Sequence, residues 1–230
     1  YPKSESNHRT FRKGGLNSVP MSLYRVYHQH LLTVGVWKVD ETIDRLKAML
    51  PNCMVNEPEL LDCKSDKRKL EKLAVRALLK ELCGEEKKIA YLPSGKPYLA
   101  DNSFRVSFSH TCGYVAVAIH PEKEVGVDIE QYGTRVQRLA SRFVREDERI
   151  SVQNGDEIYA LLLHWSAKET LFKLMEQADV DFLDHLQIFP FYPGALGEMS
   201  AMEYRTEKRQ AFRIVYDTHP DYVLTFACLE

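Results

Sequence analysis

Several common features are missing from this 230-residue chain, and each absence excludes a class of protein. Cysteine is sparse and unpaired: Cys53, Cys63, Cys83, Cys112 and Cys228 are odd in number, widely spaced and form no CxxC pair. That excludes a disulfide frame or a cysteine zinc site and predicts reduced thiols in a cytoplasmic protein. No apolar run approaches the ~18–20 residues of a membrane-spanning helix. Charge of one sign is not in excess: 31 basic and 33 acidic residues leave a formal net charge of −2. Global charge therefore gives no ground for nucleic acid or membrane binding, and any anion site must be local. Residues 1–20 are polar and basic and lack the apolar stretch of a signal peptide, so they read as a flexible tail.

What remains is an ordinary globular composition, 44% hydrophobic and 28% charged, long enough for one large domain or two small ones. The β-branched run 31–39 predicts a strand. Asp40 is placed to cap a helix over 41–50 that Pro51 stops. Asp66 is placed to cap a second helix, with Leu70, Leu73, Ala74, Ala77 and Leu78 at helical spacing and Gly84 as its stop. Ser94-Gly95-Lys96-Pro97 reads as a turn. Extended runs follow at 105–109, 114–119 and 124–130, then a polar helix over 141–151 and a long helix over 157–175. The last third alternates short strands and turns, with strands at 212–216 and 222–227.

A faint repeat runs through this order. Phe104 to Phe108 with Tyr114-Val115 matches Phe212 to Tyr216 with Tyr222-Val223 at one offset (212 − 104 = 108 and 222 − 114 = 108). The helices before them align at another (167 − 74 = 93 and 173 − 80 = 93). Two chance hairpins would look the same. A true repeat would make the chain two similar α+β halves, and the cleft between such halves is a common ligand site.

Four segments carry candidate chemistry. In Val125-Gly126-Val127-Asp128-Ile129-Glu130 the apolar residues alternate with glycine and two acids. On a strand the carboxylates share one face, about 6.5–7 Å apart, and can converge on a hard cation. Gly126 would leave room there for a ligand. An edge strand with two solvated acids would read alike. On the helix that follows, Trp165, Glu169 and Lys173 stand at i, i+4 and i+8, one stripe that suits the floor of a site and that an ordinary Glu–Lys pair would also produce. Finally, Gly95-Lys96-Pro97 and Ser109-His110 are polar turns beside strands, where exposed N–H groups, lysine and histidine can bind phosphate.

The order and spacing of Gly95-Lys96-Pro97, Phe108-Ser109-His110, Val125 to Glu130 and Trp165-Ser166-x-Lys168-Glu169-x-x-x-Lys173 resemble the 4'-phosphopantetheinyl transferase family, and within it the larger, two-lobed type acting on peptide and polyketide synthetase carriers. The resemblance runs from about residue 64 to 173. It implies an α+β fold of two similar lobes related by a pseudo-twofold, each a small, mostly antiparallel sheet on a long helix. Residues 21–120 would form a coenzyme A-binding lobe and 121–230 a lobe with the metal and the catalytic helix. It implies Asp128, Glu130 and Glu169 as ligands of Mg²⁺ or Mn²⁺, with Asp128, Glu169 and Lys173 as the catalytic set. It further implies Lys96, Ser109 and His110 at the phosphates of coenzyme A, with Arg68 and Arg76 on the basic helix as further nucleotide contacts. The expected partner is an apo acyl or peptidyl carrier protein, which the basic run Arg135, Arg138, Arg142 and Arg145 could meet, and the expected state is a monomer. A metal-dependent phosphohydrolase and a non-catalytic nucleotide-binding module are the alternatives.

Overall fold

The computed structural model describes residues 22–52, 57–152, 157–175 and 179–229. The tail 1–20 and Cys53 lie outside the described residues. In chain order the strands are β1 (Leu23–Gln29), β2 (Leu32–Lys38), β3 (Ile89–Tyr91), β4 (Pro97–Leu99), β5 (Arg105–Thr111), β6 (Tyr114–His120), β7 (Val125–Gln131), β8 (Leu186–Ile188), β9 (Leu196–Glu203), β10 (Ala211–Thr218) and β11 (Tyr222–Cys228). The helices are α1 (Ile43–Ala48), α2 (Pro58–Leu61), α3 (Asp66–Cys83), α4 (Arg135–Leu139) and α5 (Ile158–Met175). One sheet has the order β1-β2-β6-β5, a second β7-β11-β10-β9-β8, and β3 pairs with β4 alone. Every pairing is antiparallel. The fold is α+β, as expected.

Period-two alternation builds the layers. On β6, Val115, Val117 and Ile119 meet Leu73, Ala74, Ala77 and Leu78 of α3 in one core. The intervening Ala116 and Ala118 face the other way, onto Val125, Val127 and Ile129 of β7. A third core joins Leu163, Ala167, Leu171 and Leu174 of α5 to Ile214 and Val223. The result is helix, sheet, sheet, helix. Each fully buried Val, Ile or Leu contributes about 1.5–3 kcal/mol to that arrangement.

The chain order repeats. β2, α3, the pair β3–β4, then β5 and β6 correspond to β7, α5, the pair β8–β9, then β10 and β11, and the neighbours β2-β6-β5 correspond to β7-β11-β10. Both long helices span 18 residues. A sequence echo marks the start of each unit: Val34-Gly35-Val36 and Val125-Gly126-Val127, at an offset of 126 − 35 = 91. Both glycines sit under their helix. A Cβ on Gly35 would come 2.7 Å from Leu78, and one on Gly126 2.3 Å from the Thr170 carbonyl oxygen. Two residues on, the halves diverge: Trp37, fully buried, stands where the second unit has Asp128. The hairpin turns also differ, with two residues between β5 and β6 and three between β10 and β11, so the matched turn length expected from sequence does not hold.

Other boundaries shift. Thr42 rather than Asp40 caps α1, its hydroxyl accepting from Arg45 N–H at 3.3 Å. Ser65 rather than Asp66 caps α3. Gly84 ends α3 as expected, in the left-handed region at φ 79°. The helix expected over 141–151 is absent: α4 and a single 3₁₀ turn (Ala140–Arg142) give way to irregular backbone. Glu148 explains the break. Its carboxylate is drawn inward to Lys168 Nζ at 2.9 Å, where it also accepts from Arg145 N–H at 2.9 Å and Ile188 N–H at 2.7 Å. That pairing satisfies a buried lysine and overrides local helical preference.

Candidate active site

The alternation of β7 turns Gly126, Asp128 and Glu130 toward α5 and sends Val125, Val127 and Ile129 into the core between the sheets. The room above Gly126, expected for a ligand, is filled by the α5 backbone at Thr170. Ser166 and Thr170 fasten α5 to β11 by hydroxyl bonds to Thr225 Oγ1 at 2.8 and 2.7 Å. Close packing at one glycine thus brings the polar stripe of α5 against the two acids of β7.

Asp128 is 3% exposed and its two oxygens differ. Oδ1 accepts from Ser109 Oγ at 2.9 Å and from Lys173 Nζ at 2.8 Å. Oδ2 is buried and has no hydrogen-bond partner among the described residues. Lys173 Nζ also donates to the Val127 carbonyl at 3.0 Å. Ser109 in turn accepts from Ile129 N–H at 3.3 Å, and Ser107 accepts from Val127 N–H at 3.2 Å. β7 is the edge of its sheet and β5 the edge of the other, so these two serines satisfy edge N–H groups and join the two sheets. The alternation Ser107-Phe108-Ser109 was the available signal for that role, and sequence reasoning used only half of it.

Glu130 accepts from the Trp165 indole N–H at 2.7 Å. Burial and the charge of Asp128 push its carboxyl up to about 7, against the pull of the Trp165 bond. Burial, then Asp128, also raise Glu169, against the opposing charge of Lys173. The three carboxyls therefore feel one another. They do not form a ready-made shell: among the described residues no three His, Cys, Asp or Glu side chains already stand as a metal-holding cluster. Lys173 Nζ lies against Asp128 Oδ1 at 2.8 Å, so the ammonium is the charge partner of that acid here. The donor set nonetheless suits a hard divalent cation. Its oxygens are carboxylates, one is buried and unpartnered, and the acids are short of positive charge.

The other expected residues scatter. His110 neighbours Ser109 on β5 but lies on the opposite face, exposed, 3.4 Å from Glu71 of α3. Lys96 bonds Glu124 at 2.6 Å, and Arg105 joins the same carboxylate at 3.2 Å. Arg68 is exposed on the first turn of α3. Arg76 is a correction: it is 3% exposed and held in ion pairs with Glu57 and Glu59 and by the Lys72 carbonyl, so it clamps α2 to α3. Its basic character suggested a phosphate, and acids folded over from a preceding helix took it. Arg145 is likewise committed, to Asp147 and the carbonyls of Leu183 and Asp184. Arg135, Arg138 and Arg142 are exposed. Lys168, quoted in the motif but given no role from sequence, is fully buried against Glu148.

No curated protein matches the chain. The sequence profile of the 4'-phosphopantetheinyl transferase superfamily matches residues 124–227, from the residue before β7 to the last residue but one of β11. Through that stretch, which supplies Asp128, Glu130, Glu169 and Lys173, the chain is similar to the 4'-phosphopantetheinyl transferase superfamily.

Proposed function

We propose that this protein transfers the 4'-phosphopantetheine group of coenzyme A to a serine of an apo acyl or peptidyl carrier protein, with Mg²⁺ or Mn²⁺, releasing adenosine 3',5'-bisphosphate. The observation that carries the reading is the buried Asp128, one oxygen unpartnered, beside Glu130, Glu169 and Lys173 in the segment matched by the family. Asp128, Glu130 and Glu169 would hold the cation, which when bound supplies positive charge to the diphosphate of coenzyme A.

The chain's own groups account for the remaining steps. The carrier serine oxygen attacks the β-phosphorus, and the bond from that phosphorus to the bridging oxygen breaks. Glu169, its carboxyl raised by burial and Asp128, is suited to receive the serine proton. Lys173 neutralises charge developing on the leaving phosphate. Positioning and electrostatics supply most of the rate, as in other phosphoryl transfers.

Ser109 serves better as the holder of Asp128 than as a coenzyme A contact, since its hydroxyl donates to Asp128 and accepts from Ile129. Lys96, His110 and Arg68 remain the proposed nucleotide contacts. Residues 21–120 and 121–230 act as two lobes with a pseudo-twofold, a reading supported by the repeated strand order. Arg135, Arg138 and Arg142, exposed on the segment that leads into Phe143 and thence to Trp165 (ring centroids 5.3 Å), are suited to an acidic carrier helix. No described helix is long and apolar enough to cross a membrane. We place the enzyme in the cytoplasm as a monomer.

The test is mass spectrometry of a panel of apo carriers incubated with coenzyme A and Mg²⁺. A gain of one phosphopantetheine is expected, and Asp128→Ala should abolish it while leaving the protein folded. No gain on any carrier rejects the assignment; phosphate or nucleotide released without a carrier would point to a hydrolase.

A further inference from the structure

Lys173 occupies an unusual place for a lysine expected to face a substrate phosphate. Its ammonium lies against Asp128 Oδ1 at 2.8 Å and the Val127 carbonyl at 3.0 Å, while Asp128 Oδ2 stays buried and has no partner among the described residues. Ser109 donates to the same Oδ1, so Asp128 is fixed in position. Around it stand Glu130, held by the Trp165 indole, and Glu169, one helical turn before Lys173. Three carboxyls thus share one ammonium. The lysine side chain is 28% exposed and borne on the last turn of α5, so it can leave Asp128 without disturbing the core.

A divalent cation bound to Asp128 and Lys173 in its present position would set two positive charges against one carboxylate, and like charges at that range repel. A diphosphate changes the balance, because it offers the ammonium another anion. We infer that Lys173 is an internal counter-ion which a divalent cation displaces from Asp128, and that the exchange is favourable only when a diphosphate is present to receive the ammonium. This rests on the reading that a divalent cation and the diphosphate of coenzyme A meet at Asp128. It adds that the two bind cooperatively. By linkage the cation must raise coenzyme A affinity by the factor by which coenzyme A raises cation affinity. The resting enzyme would then hold little metal, and Lys173 would reach the phosphate as a consequence of metal binding.

The test uses the full chain and Mn²⁺, whose free form is read by electron paramagnetic resonance. Mn²⁺ is titrated with and without coenzyme A into the wild type, Lys173→Met and Lys173→Arg. In the wild type, coenzyme A should tighten Mn²⁺ binding by roughly 10–100-fold. Lys173→Met keeps the aliphatic stem and loses the charge. It should bind Mn²⁺ alone about tenfold more tightly than the wild type, with coenzyme A adding only a few-fold. Lys173→Arg should keep the wild-type pattern. Melting curves check folding, and Lys173→Gln replaces the methionine variant if that one fails to fold. Mn²⁺ affinity without coenzyme A that is unchanged or weaker in the neutral variant overturns the exchange while leaving the cation site standing. No Mn²⁺ binding by the wild type, even with coenzyme A, removes the cation site and the exchange together.

Discussion

The indole N–H of Trp165 donates a 2.7 Å bond to Glu130, and that bond works against the burial that keeps the carboxyl near neutrality. Trp165 also stacks edge-on against Phe143 and lies 5.6 Å from Phe182. One residue thus sets both the packing of the site wall and the charge of one of its acids. Trp165→Phe preserves much of the packing and removes the donor. Glu130 should then titrate still higher than about 7, because a hydrogen bond favouring its charged form is lost. Carboxyl ¹³C shifts followed against pH check this, and a Glu130 titration unchanged in the variant refutes the assigned role.

Gly126 is a packing device. A methyl group there would stand 2.3 Å from the Thr170 carbonyl oxygen, a backbone atom that cannot swing aside. Gly126→Ala should therefore push α5 off β7, cost about 1–3 kcal/mol of stability, and separate Glu169 and Lys173 from Asp128. Thermal unfolding and the transfer assay should both register the loss. A fully active, equally stable variant would contradict the geometry.

The Lys168–Glu148 pair is buried without solvent, and Lys168 also donates to the Phe143 and Phe182 carbonyls at 2.5 and 3.0 Å. It ties α5 to the irregular segment after α4 and to the loop before β8. Burial pulls the Lys168 ammonium below its ordinary range, opposed by Glu148. Glu148→Ala leaves a buried charge with no counter-ion and should cost about 3–5 kcal/mol. Joint replacement by Glu148→Leu and Lys168→Met should recover a substantial part of that loss, which denaturant unfolding of the single and double variants would reveal.

His120 gives the fold an acid limit. Its Nδ1 accepts from the backbone N–H groups of Glu122 at 3.0 Å and Lys123 at 2.8 Å, so the ring must be neutral there. Burial, aided by Lys123, lowers its pKa from 6.5. The unfolded chain then binds the proton more readily than the native one. The contribution of His120 is complete above pH 6.5 and is lost as pH falls through the depressed native value. Unfolding midpoints measured from pH 8 to pH 5 should decline over that window. His120→Asn, whose Oδ1 can accept the same bonds without titrating, should flatten the decline in part; an identical slope would count against the assignment.

Much of this was legible in the chain itself. The alternation in Val125 to Glu130, the spacing of Trp165, Glu169 and Lys173, the strands of both hairpins and the glycine stop at Gly84 all declared themselves, because periodicity and capping are local properties. What misled were residues whose meaning depends on a distant partner. Arg76 looked like a phosphate ligand until Glu57 and Glu59 came over it. The segment 141–151 looked helical until Glu148 turned inward to Lys168. His110 and Ser109 looked like a pair, although neighbours on a strand face opposite ways.

The amino-acid order by itself determined the long helices α3 and α5, the strands β2, β5 to β7, β10 and β11, and which acids, lysines and aromatics their faces can present. Tertiary structure alone decided their company. It set α5 directly on Gly126, placed Lys173 on Asp128, and spent the Ser107 and Ser109 hydroxyls on the edge of β7. The reason is physical: a buried polar group takes whichever partner the packing brings within hydrogen-bond reach, and that partner sits far away along the chain.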